Sequence, residues 1–217
     1  MAAAPTAAAL FEAAESGSDE LHGLIAAAEK AGTLQRLLLR RQHGLTALHR
    51  AAEMGHFRAV TELLARGGAT AANAITAAGV TPLHMASERG RNDVVDVLVA
   101  FGAEQPPDDF GSTPLHRASF AGSVEVVSML LEGGAIEDAR DTNGHTPLHV
   151  AAHCGYRQVV CELLRGGASP RVLDQYSQTP RFLAEAAGHR AVAQCLDDFL
   201  SPADEPLLLE TVMPALQ

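Results

Sequence analysis

The sequence predicts an all-α solenoid of stacked helix-turn-helix units joined by β-hairpin-like finger loops, on three observations. A six-residue phrase recurs at Gly44–His49, Gly79–His84, Gly111–His116 and Gly144–His149, so that its histidines fall 35, 32 and 33 residues apart. Each histidine is followed at fixed offsets by two glycines, first Gly55, Gly90, Gly122 and Gly155, then Gly67, Gly102, Gly134 and Gly167. Of the 217 residues, 47% are hydrophobic but only 4% aromatic and none is tryptophan, which suits thin layers of Ala, Val and Leu better than one globular core. In such a stack each layer buries its face only against its neighbours.

Taken in chain order, residues 1–7 are expected to be disordered and residues 8–43 to form an N-terminal capping repeat. Leu10-Phe11-Glu12-Ala13-Ala14 opens it as a worn copy of the later phrases, Leu21, Leu24 and Ile25 supply its second helix, and Leu34 to Arg41 leads into the next layer. Four full repeats follow at 44–78, 79–110, 111–143 and 144–176. In each, a threonine (Thr46, Thr81, Thr113, Thr146) stands where an N-cap hydroxyl accepts a first-turn N–H, and in three a proline follows at N1, where its missing donor costs nothing. The pairs Ala51-Ala52, Ala86-Ser87, Ala118-Ser119 and Ala151-Ala152 keep adjacent helices close. The first glycine of each unit then closes the helix at positive φ, and Gly67, Gly102, Gly134 and Gly167 are expected to end the second helix. Second-helix stripes recur as Val60/Leu63/Leu64, Val94/Val95/Leu98, Val126/Val127/Leu130 and Val159/Val160/Leu163, the spacing of one buried face. Residues 177–200 form a C-terminal capping repeat in which Arg181-Phe182 replaces Leu-His. Residues 201–217 are expected to be an acidic flexible tail whose Leu207-Leu208-Leu209 run is either a docking motif or a segment that folds back.

The recurring Gly-x-Thr-Pro-Leu-His phrase with its paired glycines resembles the ankyrin repeat over roughly residues 8–200. The resemblance implies a non-enzymatic protein-protein interaction module, an adaptor, scaffold or regulator, binding through a concave surface of fingers and first helices. A stoichiometric inhibitor of a kinase or transcription factor is a second expectation. A substrate-recognition subunit of a ubiquitin ligase is a weaker one, since the 17 residues after the last layer leave little room for a recruiting box. The resemblance also makes His49, His84, His116 and His149 scaffold residues that bond nearby backbone.

Chemistry finds little support. His149, His153, Cys154 and Cys161 are the most tempting metal cluster, but neither Cys-x-x-Cys nor His-Glu-x-x-His spacing is present, and the cysteines read better as small buried hydrophobes. The Gly67-Gly68 and Gly166-Gly167 pairs lack the Gly-Lys-Ser/Thr of a phosphate loop, and there is no Gly-x-Ser-x-Gly elbow. No enzyme activity and no cofactor are expected. The net charge of -10 disfavours nucleic acid and anionic membranes and favours a partner with a basic face. Three cysteines without framework spacing fit a reducing compartment, hence a cytoplasmic or nuclear monomer.

The candidate partner-binding residues are those that depart from the repeat. Phe110, Arg117, Phe120, His153 and Tyr176 are expected as anchors, with Glu88, Asp108, Asp109 and Asp141 as an acidic rim, because aromatics and arginine dominate interface energetics. Pro106-Pro107 is expected to break the pairing of its finger with adjacent ones by removing two donors. Each aromatic has a second reading as packing filler: Phe110 against the following turn, Phe120 between layers.

Overall fold

The computed structural model describes residues 5–200. Short helices alternate with tight reversals along these residues. The N-terminal unit comprises α1 (Ala7–Ser16), α2 (Glu20–Lys30) and α3 (Leu34–Leu38). Four pairs follow: α4 (Ala47–Met54) with α5 (Phe57–Ala72), α6 (Pro82–Glu88) with α7 (Asn92–Ala100), α8 (Pro114–Ala121) with α9 (Val124–Glu132), and α10 (Pro147–Cys154) with α11 (Arg157–Arg165). α12 (Pro180–Ala186) and α13 (Arg190–Phe199) close the stack. First helices pack in one row, α1-α4-α6-α8-α10-α12, and second helices in another, α3-α5-α7-α9-α11-α13. The core lies between the rows as one continuous seam of Ala, Val and Leu, running from Leu10 to Leu196. The 201–217 tail expectation lies outside the described residues. At the other end, α1 already begins at Ala7 and the Thr6 side chain caps it by accepting from Ala9 N at 3.2 Å, so order starts earlier than expected.

The repeated phrase performs two tasks at once. Within a repeat, the hydroxyls of Thr46, Thr81 and Thr113 accept from the backbone N–H of His49, His84 and His116 at 3.4, 3.3 and 3.4 Å, closing a capping box. Between repeats, the histidine Nε2 reaches the next finger: His49 to Val80 O, His84 to Ser112 O and His116 to His145 O, each at 3.0 Å, and His149 to Gln178 O at 3.2 Å. Each Nδ1 accepts the N–H of its own threonine, so the hydrogen-bond pattern assigns the neutral Nε2–H tautomer. These rings are therefore rivets between layers as well as caps. Protonating them breaks the pattern, and burial holds the pKa of His49 down at about 4 and moves those of His84, His116 and His149 in the same direction.

The fingers are hairpin-like as expected, while the readings of Pro106-Pro107 and of Gly67 are corrected. The fingers form no sheet among the described residues, only an isolated bridge between Gln42 and Leu45. Each tip is closed, hairpin-like, by a pair of backbone bonds, such as Asp108 N to Ser112 O, 2.8 Å, with Gly111 N to Asp108 O, 2.9 Å, or Asp141 N to His145 O with Gly144 N to Asp141 O, both 2.9 Å. Pro106-Pro107 does not isolate its finger, because pairing is made beyond the prolines: Asp109 N donates to Ala78 O at 3.1 Å and Phe110 O accepts from Thr142 N at 2.9 Å. In the first full repeat Gly68, not Gly67, breaks the second helix, with φ 55° and ψ −152°. The alanine-rich stretch beyond it adds a helical turn that buries Ala71 and Ala72, which explains why this loop is longer than the others.

The fingers lie close enough that a glycine is required at their tips for contact as well as for conformation. A Cβ on Gly111 (φ +73°) would lie 2.9 Å from Asp141 Cα, whereas Gly102 (φ +76°) faces open space. Gly111→Ala is expected to cost about 2 kcal/mol or more and Gly102→Ala about 1 kcal/mol, read from urea midpoints; equal costs would mean the fingers are not in contact.

Candidate protein-binding surface

Two positions of each first helix face the fingers rather than the core, one and four residues after the phrase histidine. Arg50, Met85, Arg117 and Val150 occupy the first position, and Glu53, Glu88, Phe120 and His153 the second. Through the early repeats this face is an ion ladder. Arg50 contacts Glu15 (Nε–Oε1 2.9 Å) and Glu53 (2.7 Å), and Arg89 contacts Glu53 (2.9 Å). Further along, Arg117 bridges Glu88 (3.1 Å) and Asp108 (2.7 Å). A half-exposed ion pair contributes at most about 1 kcal/mol, but the ladder keeps these charges engaged with one another.

Past Arg117 the ladder stops and aromatic side chains take over. Phe110 at a finger tip is 64% exposed, Phe120 on α8 is 61% and Tyr176 at the fourth tip is 67%. None is packed between layers or beneath a turn. His153 on α10 is also exposed, and Val150 beside it is half-buried. Asp109 is exposed on its finger tip.

The carboxylates fare differently from the rim expected of them. Asp108 is only 6% exposed, and its Oδ1 accepts the N–H groups of Phe110 and Ser112, both at 2.9 Å, while Oδ2 meets Arg117. Burial would raise its pKa, yet these three donors together hold it below the usual carboxylate range. Asp108 is thus a finger-shaping residue, not a rim charge. Asp141 does the same for its finger, accepting from Asn143 N and His145 N at 2.8 Å, and Asp174, absent from the expected set, repeats it with Tyr176 N and Gln178 N. Arg117, expected as an anchor, spends its guanidinium on Asp108 and Glu88. Glu88 keeps a largely exposed carboxylate with that single arginine contact.

Sequence reasoning missed Ile136, which at 72% is the most exposed large hydrophobic residue among those described. It borders a cleft of about 240 Å³ between the second and third fingers, lined also by Gln105, Pro107, Ala139 and Arg140. The signal was available: the second finger is one residue short, and a short finger cannot cover its neighbour's base.

The metal candidates are dispersed. Both ring nitrogens of His149 are committed to Thr146 and Gln178, and Cys161 meets Cys195 instead of Cys154. Among the described residues no group of three or more His, Cys, Asp or Glu is arranged to hold an ion, and no helix is long and apolar enough to cross a membrane.

A family model described as ankyrin repeats, in three copies, matches residues 10–109 and again residues 102–174. The chain belongs to the ankyrin repeat family. Direct comparison with curated proteins gives no match. Ankyrin repeats generally act as protein-protein interaction modules and are typically non-enzymatic.

Proposed function

We propose that this ankyrin chain is a non-enzymatic adaptor, scaffold or regulator that holds a partner protein against Phe110, Phe120 and Tyr176. The observation that carries the reading is the change of character along one face, from charges that neutralise each other to three large aromatics left in water. The three most exposed aromatics of a protein with so few of them favour desolvation by a partner. Preformed fingers lower the ordering cost of that association. A net charge of -10, with Asp109 and Glu88 beside the aromatics, favours a partner presenting a basic rim. In this reading the protein works as a monomer in the cytosol or nucleus, without a cofactor, and stoichiometric inhibition of a bound regulatory protein is one form its action takes.

The test is comparative capture. Immobilised wild-type protein and the double variant Phe120→Ala/Tyr176→Ala are exposed to the same cell extract, with retained proteins identified by mass spectrometry and then titrated individually. A partner whose affinity falls tenfold or more in the variant, with an unchanged unfolding midpoint, supports the reading. Equal affinity, or a variant that unfolds, removes the aromatics from the binding role.

A further inference from the structure

We propose that Cys161 and Cys195 form an oxidisable dithiol that a peroxide closes into an intramolecular disulfide, tying the C-terminal capping unit to the repeat before it. The two residues lie on adjacent second helices, α11 and α13, 34 positions apart in sequence, with their Sγ atoms 2.9 Å apart and both thiols free. A disulfide needs a separation of about 2.05 Å, so the sulfurs have to close by less than about 1 Å to bond. The third thiol, Cys154 on α10, has no such neighbour among the sulfurs.

The surroundings give the two sulfurs different roles. Cys195 is 4% exposed, and its pKa is pushed up to about 11 by burial first and then by its hydrogen bond to Cys161, with Asp198 adding to the rise and Arg157 opposing it. It keeps its proton at neutral pH and is shielded from reagents. Cys161 is half-buried at the surface of the same pair and is the sulfur an oxidant reaches. Its thiolate attacks one oxygen of hydrogen peroxide, breaking the O–O bond to give a sulfenic acid and hydroxide, which takes up the proton the thiol released. Cys195 then attacks that sulfur, forming the S–S bond and expelling the hydroxyl group, which leaves as water with the Cys195 proton. The peroxide is reduced to two waters and the dithiol is oxidised by two electrons.

The consequence is local to one end of the stack. The bridge encloses the fourth finger with Tyr176, the whole of α12 and the approach to α13, where the histidine rivet is already the longest of the four and the phrase histidine is replaced by Phe182. Crosslinking a segment of this length restricts the unfolded chain more than the folded one. The oxidised protein therefore holds its cap more firmly than the reduced protein does. This inference stands independently of which partner, if any, Tyr176 meets.

The experiment uses the full chain, reduced and then treated with a few equivalents of hydrogen peroxide. Expected are an intact mass lower by about 2 Da, loss of two of the three thiols, a peptide linking Cys161 to Cys195, and a thermal midpoint higher by about 5 °C that dithiothreitol reverses. Cys154→Ser is expected to behave identically. In Cys195→Ser the reaction stops at a sulfenic acid on Cys161 that dimedone labels. A bridge to Cys154, a disulfide-linked dimer as the main product, or wild-type protein that gains oxygen on Cys161 without closing the bridge would each overturn the proposal, and all three are read on the wild-type chain without relying on a variant.

Discussion

Mild acid is expected to unfold this protein before its ordinary carboxylates titrate. The four phrase histidines are neutral and buried in the folded state, with pKa values below the ordinary 6.5, while in the unfolded chain they return to that value. Below pH 6.5 the unfolded state binds protons that the folded state refuses, so stability is full above 6.5 and is lost as pH falls toward the folded values. For His49, whose folded value is about 4, the complete loss is about 3 kcal/mol, and the other three histidines add in the same direction. Each protonated ring also loses the Nδ1 lone pair that accepts the N–H of its own threonine, so the caps of all four first helices are expected to weaken together. Urea midpoints measured at pH 7.5, 6.5, 5.5 and 4.5 check this: a steady fall with net proton uptake is expected, and a flat profile down to pH 5 would show that the rings are not held neutral by burial.

Replacing Asp108 by alanine is expected to destabilise the protein by about 3 kcal/mol, while Asp109→Ala changes stability by less than about 0.5 kcal/mol. The two residues are adjacent on one finger and chemically identical, so the contrast isolates environment. Asp108 loses two bonds to backbone N–H groups and its ion pair, leaving Arg117, whose Nε already lacks a partner, tied to Glu88 alone. Asp109 projects into water and its finger contact is made by its backbone N–H. Denaturant midpoints of the two variants decide it, and Asp108→Asn, which keeps an acceptor for the two N–H groups, is expected to fall between them. Similar midpoints for Asp108→Ala and Asp109→Ala would return Asp108 to the surface.

The parts of the fold legible in the sequence are those set within a few residues. Thr113-Pro114 starts α8, and Gly122 with φ +74° ends it, because capping and left-handed backbone are local preferences. Gly67 is the wrong choice of the adjacent pair Gly67-Gly68, since either satisfies the local requirement and only the burial of Ala71 and Ala72 selects Gly68. The Asp108 reading failed although the signal was present. Recurrence had already marked the four histidines as architecture, and Asp108, Asp141 and Asp174 also recur in one slot, three residues before the fingertip glycine or, in the last finger, its replacement Ser177. Phe110 and Tyr176 share the slot just before the fingertip glycine or its replacement, and with Phe120 they stand in solvent.

What the sequence determined alone is the repeating unit: the caps of its first helices and the stripe each helix buries, because hydrogen bonds within a turn and the side-chain period of a helix need no information from elsewhere. The stacking of units decided the rest. It set which carbonyl each histidine reaches, which carboxylate turns inward, how far Ile136 stands in water, and that Cys161 meets a cysteine one position out of register on the next helix. Those pairings depend on the offset between neighbouring layers, a distance that no residue encodes by itself and that only the packed interface between two units fixes.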